Sequence, residues 1–266
     1  MTRHAPRDDA GYWNQVVTGR RRSSADAWWR AHADHVNRTL CDRWWPDVPV
    51  RRILKTDLFD EASGEGLLPR LETRATAVAI DHAIEIARRA RTGQRSRLAA
   101  VSDVRTLPFP DGCFDLVISN STLDHFEERA AIDAGLAELH RVLAVGGQLI
   151  LTLDNAANPV VAARNALPFA LTHALGLVPY FVGATYGSRL GSGALERVGF
   201  EVRARTSVLH CPRIAAIAAA RLLAGPGRQR TRSIYLRGLE ACEWLERWPT
   251  RYATGYFVAW RAIKPS

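Results

Sequence analysis

DVRTLPFPDGCFDLVISNSTLDHF (residues 103–126) and RVLAVGGQLILTL (141–153) decide the reading of this chain. A polar turn built from Pro108, Pro110, Asp111 and Gly112 leads into an apolar run, 114–119, of strand length and buried character. The stretch 132–143 has helical spacing, with Gly146 and Gly147 just past its end, and feeds a second apolar run at 148–153. Two buried strands joined through a helix are parallel neighbours in one sheet.

The same alternation extends outward. Strands are expected at 51–59, 75–81, 97–101, 114–119 and 148–153, with helices at 67–73, 83–91 and 132–143 between them. Strands alternating with helices imply an α/β, doubly wound, Rossmann-like sheet. Upstream, Trp13, Val16 and Val17, then Trp28, Trp29, His32, Val36, Leu40 and Trp44, have helical spacing and predict two helices broken near 20–24, with Ser24 as N-cap. Downstream, 155–192 reads as an apolar insertion. It is followed by a helix at 192–198, a strand at 200–207, helices at 214–223 and 233–246, a Gly/Pro/Arg loop at 225–232 between those helices, and a last strand at 255–262. The expected organisation is therefore an N-terminal helical lid (1–49), a core (50–154), an apolar cap (155–192) and the rest of the core with additional helices (193–266).

The formal charge is +9, yet all but Lys55 and Lys264 of the 36 basic residues are arginine, and the densest groups, 20–22, 88–91 and 228–232, are scattered. Nucleic-acid binding needs a continuous basic stripe with exposed aromatics, so solvated faces are the favoured reading. Cys41, Cys113, Cys211 and Cys242 form no Cys-x-x-Cys or Cys/His ligand spacing, which points to a reduced, metal-free, cytoplasmic protein. No apolar run approaches the roughly 20 residues of a membrane span, and no charged-then-apolar leader opens the chain; peripheral contact through 212–221 is compatible with the sequence.

The pattern D-x-x-x-LPF-x-x-x-x-FD-x-V at 103–117 and RVL-x-x-GG at 141–147 resembles the class I S-adenosylmethionine (SAM)-dependent methyltransferases of the small-molecule, methyltransferase domain 11-like type. The resemblance implies a seven-stranded sheet whose last two strands form an antiparallel hairpin at one edge. It also implies SAM as cofactor, with S-adenosylhomocysteine as product. In such folds ligands bind at the carboxyl ends of the strands. Asp81 ends an apolar strand, where a carboxylate can accept from both ribose hydroxyls, and His82 follows at an adenine-packing position; as a helix cap, Asp81 has the simpler alternative role. Asp103 and Val104 match the pair that meets the adenine amine and ring nitrogen, although a turn-forming Asp has the same signature. Ser119, Asn120 and Ser121 close strand 4 beside the methionine portion. His125, next to Asp124, is the candidate general base, since imidazole titrates near neutral pH; a packing or capping histidine is the competing reading.

The first glycine loop departs from the family pattern: RRILKTDLFDEASGEGL replaces it. In one register Asp60, Gly64 and Gly66 occupy the loop, with Asp60 21 residues before Asp81. In the other, the strand ends at Asp57, and Lys55, Thr56 and Asp57 substitute side chains for backbone contacts. Both remain open at this stage.

The acceptor is expected to be a partly apolar small molecule, roofed by Tyr12 and Trp13 of the lid and by an apolar set that includes Phe169, Leu171, Leu175, Leu177, Tyr180 and Tyr186, with Ile214, Leu222 and Leu223 beyond. Arg189, Arg213, Arg164 and His210 are candidates for an anionic group on it. A monomer or homodimer fits equally. The function read from the chain is methyl transfer to oxygen, nitrogen or carbon. The alternatives are a methyltransferase fold that does not methylate (an isomerase, cyclase or binding protein) and a nucleic-acid methyltransferase, the latter lacking an NPPY-like tetrapeptide after strand 4.

Overall fold

The computed structural model describes residues 10–19, 24–93, 97–174, 178, 180–225 and 227–266. Helices α1 (Ala10–Gly19) and α2 (Ser24–Arg43) come first, and the expected break between them falls outside the described residues. The alternating core follows as β1 (Arg52–Lys55), α3 (Phe59–Ser63), α4 (Leu68–Leu71), β2 (Thr76–Asp81), α5 (Ile84–Thr92), β3 (Leu98–Val101), β4 (Phe114–Asn120), α6 (Arg129–Val142) and β5 (Leu143–Asp154). The insertion carries α7 (Pro159–Ala166) and α8 (Phe169–Ala174), neither foreseen, and then come α9 (Ser188–Arg197), β6 (Glu201–Val208), α10 (Arg213–Leu223), α11 (Gln229–Cys242), α12 (Arg251–Thr254) and β7 (Phe257–Ile263). Asn158 caps α7, its side-chain oxygen accepting from the N–H groups of Val160 and Val161, with Pro159 at the first helical position.

The described strands form one seven-stranded sheet in the order β3-β2-β1-β4-β5-β7-β6. The first five are parallel, whereas β7 runs antiparallel between β5 and the edge strand β6. The antiparallel pair thus closes one edge, as the resemblance implied. Successive residues of a strand face opposite layers, and both layers here are apolar. Leu116 and Ile118 of β4 pack with Leu68, Ile86 and Leu40 of the helices on one face, while Val117 packs with Leu136, Leu139 and Leu195 on the other.

Two local expectations are corrected. The first strand was expected to run to residue 59 but stops at Lys55, because the Leu58 N–H is taken by Asp81 Oδ2 (3.1 Å) and α3 begins at Phe59. The glycine pair 146–147, read as a turn before the strand, lies inside β5: the Gly146 N–H donates to Lys264 O (2.8 Å) and the Lys264 N–H to Gly147 O (3.0 Å). The ladder to β4 shifts register there, from Phe114 opposite Leu143 to Leu116 opposite Gln148.

The N-terminal helices are bound to this core. Glu85 N–H at the start of α5 donates to Asn14 Oδ1 (2.9 Å), and Arg89 donates to Val17 O (2.6 Å), fixing α1 on α5. Helix α2 packs against α10 and α11. There, His32, Cys211 and Glu243 bring side-chain atoms within 4.8 Å of one another, and Glu243 accepts from the N–H groups of Leu209 and His210 (3.0 Å each). That staple joins residues far apart in sequence, so no local spacing announced it.

Candidate functional site

One continuous cavity, lined by described residues, follows the carboxyl ends of the strands and crosses the sheet from β3 to β7. At one end it is lined by Asp81 and His82 after β2, and by Ser102, Asp103 and Val104 after β3. Its middle is lined by Thr56, Asp57 and Asp60 after β1, and by Asn120, Ser121 and Thr122 at the end of β4. At the far end stand Thr152, Leu209, Arg213 and Phe257, belonging to the β5, β6 and β7 side. The lid contributes Trp13 from α1, and Trp29, Arg30, Ala33 and Asn37 from α2.

Asp81 is buried, and each of its oxygens accepts one backbone N–H: Oδ1 from Ala83 (2.9 Å) and Oδ2 from Leu58 (3.1 Å). A carboxylate has about four lone-pair sites, so one per oxygen remains for a ligand. Burial raises its pKa, opposed by those two N–H groups. Asp103 is half-exposed and already gripped by Arg105, whose Nε lies 3.0 Å from Oδ1 and whose terminal nitrogen lies 2.6 Å from Oδ2. Burial works against its charge, but the Arg105 hydrogen bonds outweigh this and hold the carboxyl below its ordinary value. Arg105 itself lies over the Phe126 ring, 4.6 Å from its centroid.

The segment after β1, expected to stand where the family has its glycine loop, is held by a buried ion cluster. Lys55, 1% exposed, donates from Nζ to Asp57 Oδ2 (2.9 Å), Asp57 O (2.7 Å) and Glu61 Oε2 (3.0 Å). Burial alone would discharge this lysine, but the two carboxylates more than compensate and raise its pKa. The other Glu61 oxygen accepts from the N–H groups of Leu67 (2.9 Å) and Leu68 (3.1 Å). Gly66 sits against it at φ +66°, and a Cβ there would lie 2.4 Å from Glu61 Oε1. The Thr56 hydroxyl links β1 to β4, lying 3.0 Å from Ser119 Oγ and 2.8 Å from Thr122 Oγ1.

His125 lies in the turn after β4, its ring 4.6 Å from that of Trp13 and 5.7 Å from that of Tyr180. Its Nδ1 is 3.0 Å from Phe181 O. A carbonyl only accepts, so Nδ1 carries the proton and Nε2 keeps the lone pair. Burial lowers the imidazole pKa to about 4, leaving it neutral in ordinary buffers. Beside it, burial and the Asp154 carboxylate push Asp124 up to about 8. The 180–184 segment is seated on this turn: the Gly183 N–H donates to Asp124 O (2.8 Å) and the Ala184 N–H to Phe126 O (2.7 Å). A Cβ at Gly183 would fall 2.0 Å from Phe126 O, so only glycine permits this approach.

Of the residues singled out in the sequence, Thr56, Asp57, Asp60, Asp81, His82, Asp103, Val104, Asn120, Ser121, His125, Trp13 and Tyr180 therefore share one cavity. Arg213, singled out as a candidate for an anionic group, and Trp29 of the lid line it too, whereas the remaining candidates do not. Gly64 and Gly66 form the turn around Glu61, and Ser119 is wholly buried beneath Thr56. Tyr12 stands behind Trp13, its hydroxyl accepting from the Phe181 N–H (2.7 Å). Tyr186 is in the opposite core layer with its hydroxyl on Asp133 (2.7 Å), and Arg189 is exposed on α9. The expected apolar roof is likewise reduced to Tyr180: Leu171 is 47%, Ile214 54% and Leu222 81% exposed, and Leu175 and Leu177 lie outside the described residues. The lid was expected over 1–49 as a whole, but its α2 lining residues were not named as such, although Trp29, Ala33 and Asn37 are spaced four apart and so share one helix face.

A parallel sheet with an antiparallel edge pair, and a cavity along its carboxyl rim, define a Rossmann-like ligand-binding enzyme fold. Residues 60–151 match the methyltransferase-domain family. A malonyl-acyl-carrier-protein O-methyltransferase of Geobacter sulfurreducens is 34% identical over 145 residues, which are 50% of this chain and 53% of that protein. The chain thus matches about half the length of this curated relative. Among solved structures, an Archaeoglobus fulgidus SAM-dependent methyltransferase superposes with a TM-score of 0.58 at 12% identity, covering 87% of this chain and 94% of that one. Phosphoethanolamine N-methyltransferase 2 of Haemonchus contortus, in complex with SAM, superposes with a TM-score of 0.55 at 16% identity, covering 86% of this chain and 52% of that one. Residues 60–151 thus resemble the methyltransferase-domain family, and the fold of the chain is the one these solved SAM-dependent methyltransferases have.

Proposed function

We propose that this chain is a SAM-dependent methyltransferase acting on oxygen, nitrogen or carbon of a small, partly apolar molecule. The observation that carries the reading is the convergence of Asp57, Asp81 and Asp103, from the rims of three neighbouring strands, on one cavity. The cavity also holds buried polar atoms with no hydrogen-bond partner among the described residues, Asn120 Oδ1 and His82 Nε2. Such atoms are costly unless a ligand meets them. An ammonium donor suits the first, and the free lone pairs of Asp81 suit a pair of ribose hydroxyls.

On this reading Asp81 binds the ribose, while Val104 and Asp103 bracket the adenine, with Asp103 shared between the base and Arg105. Asp57, Thr56 and Asn120 bind the methionine end, with side chains replacing glycine-loop backbone. SAM when bound supplies an electrophilic methyl on a sulfonium. Trp13, Phe59 and Tyr180 exclude water and align the acceptor, which is most of what an in-line displacement needs. The Nε2 of His125, unprotonated at neutral pH, is placed to take a proton from an acceptor that must lose one.

Calorimetry with SAM on the purified protein tests the first half, with Asp81→Ala expected to weaken binding at least tenfold. Mass spectrometry tests the second: the product gains one methylene mass as S-adenosylhomocysteine is released. Absence of SAM binding, together with no effect of Asp81→Ala, refutes the reading.

A further inference from the structure

The cavity carries two arginines of different standing. Arg30, on the methionine side, is neutralised by Asp60, its NH1 3.1 Å from Oδ1. Arg213, at the β5-β7-β6 end, forms no ion pair with a carboxylate among the described residues. Its guanidinium donates to the Tyr256 hydroxyl (3.3 Å) and lies over the rings of Tyr256 and Trp29, 5.2 and 5.7 Å from their centroids. The same hydroxyl already accepts from Arg164 (3.0 Å), so two cations share one neutral acceptor. Arg164 makes a close pair with Asp154, whose single carboxylate also acts on Arg213 from beyond ion-pair distance, so one carboxylate serves two guanidiniums. The remaining acid at this end, Asp124, is committed to Ser121 Oγ (2.9 Å) and the Asp154 N–H (2.8 Å). One positive charge is left over, half-buried against aromatic rings and open to the cavity.

We infer that Arg213 is the recognition point for an anionic group, a carboxylate or a phosphoryl, on an acceptor whose body is apolar. The inference rests on the proposed methyl transfer for the word acceptor. A guanidinium presents five donors in a planar fork that matches such oxyanions, and few of them are used here. Charge placed in a desolvated wall with no carboxylate of its own in ion-pair contact is costly and is relieved by a ligand that brings one. Leu209 and Phe257 beside it, with Trp29 above, offer the apolar part of the ligand its surface. The position also separates this site from the cofactor: Asp81 and Asp103 lie at the β2-β3 end of the sheet, across β1, β4 and β5 from Arg213.

The test uses the full chain saturated with S-adenosylhomocysteine, titrated with benzoate, phenyl phosphate and neutral benzamide. Benzoate or phenyl phosphate is expected to bind at about 1 mM or better, and benzamide at least tenfold more weakly. Which anion wins distinguishes a carboxylate from a phosphoryl acceptor. Arg213→Met should abolish the preference for the anion while leaving S-adenosylhomocysteine affinity within about twofold, and Arg213→Lys should keep part of it, since a point charge remains without the fork. Equal binding of the charged and neutral probes, no anion-dependent binding, or an unchanged preference in Arg213→Met overturns the inference. A tenfold loss of S-adenosylhomocysteine affinity in Arg213→Met also overturns it, because the arginine would then serve the cofactor's own carboxylate. If the unaltered chain binds no S-adenosylhomocysteine, it is the methyltransferase reading that fails, and the same titrations without it still decide whether Arg213 selects anions.

Discussion

Lys55 shows how a single side chain re-engineers a loop. Where a backbone-lined glycine turn would meet a ligand directly, this chain buries an ammonium between Asp57 and Glu61 and lets Glu61 hold the next turn by two backbone N–H groups. Removing one member of such a cluster strands the other, so Glu61→Leu should destabilise the protein by about 3–5 kcal/mol in urea unfolding, and Lys55→Met added to it should recover part of that loss. Gly66→Ala is expected to cost about 2 kcal/mol or more, because it combines a positive φ with a Cβ 2.4 Å from Glu61 Oε1. His125 makes a prediction about pH. Folding lowers its pKa from 6.5 to about 4, so between those values the unfolded chain binds the extra proton. Its contribution is complete above pH 6.5 and disappears as the pH falls to about 4, a loss of about 3 kcal/mol that His125→Asn should flatten in pH-dependent unfolding curves.

At the scale of elements, the lid is a relay of short contacts. Helix α1 rests on α5 through Asn14 and Val17, and its Tyr12 hydroxyl holds the 180–184 segment, which in turn sits on the turn bearing His125. Tyr12→Phe should therefore cost about 1 kcal/mol and speed amide exchange around residues 181–184 more than in β4 or β5. The elements themselves were legible where the apolar period was long: β2, β4, α5 and α6 lie within a few residues of their expected bounds. They were misread where a long-range partner decided. The first strand ends early because Asp81 claims the Leu58 N–H, and Gly146-Gly147 stays in β5 because the last strand's continuation at Lys264 pairs with it. Helices α7 and α8 went unseen because the insertion's many apolar residues mask any helical period.

For the whole molecule, the charge of +9 is spread over scattered arginines, many of them paired, such as Arg70 and Arg74 on Asp42 and Arg141 on Glu138 and Asp111. No helix among the described residues is long and apolar enough to cross a membrane. If the rim acids bind SAM, ligand at about a hundred times its Kd should stabilise the protein by about 2.7 kcal/mol and raise Tm by about 5 °C or more, and Asp81→Ala should cut that shift to about half or less in a thermal melt. The sequence by itself determined the alternating α/β sheet and the placing of Asp81, Asp103 and Asn120 at strand ends, because strand periodicity and turn chemistry are local properties. Only the tertiary structure decided the rest: that Lys55 and Glu61 hold the turn after β1 by a buried ion cluster, that Asn37 and Arg30 wall the cavity, that Tyr186 and Arg189 stand away from it, and that Arg213 reaches it with no ion-pair partner among the described residues. Those outcomes depend on contacts between residues tens to hundreds of positions apart, and such contacts exist only once both layers have packed on the sheet.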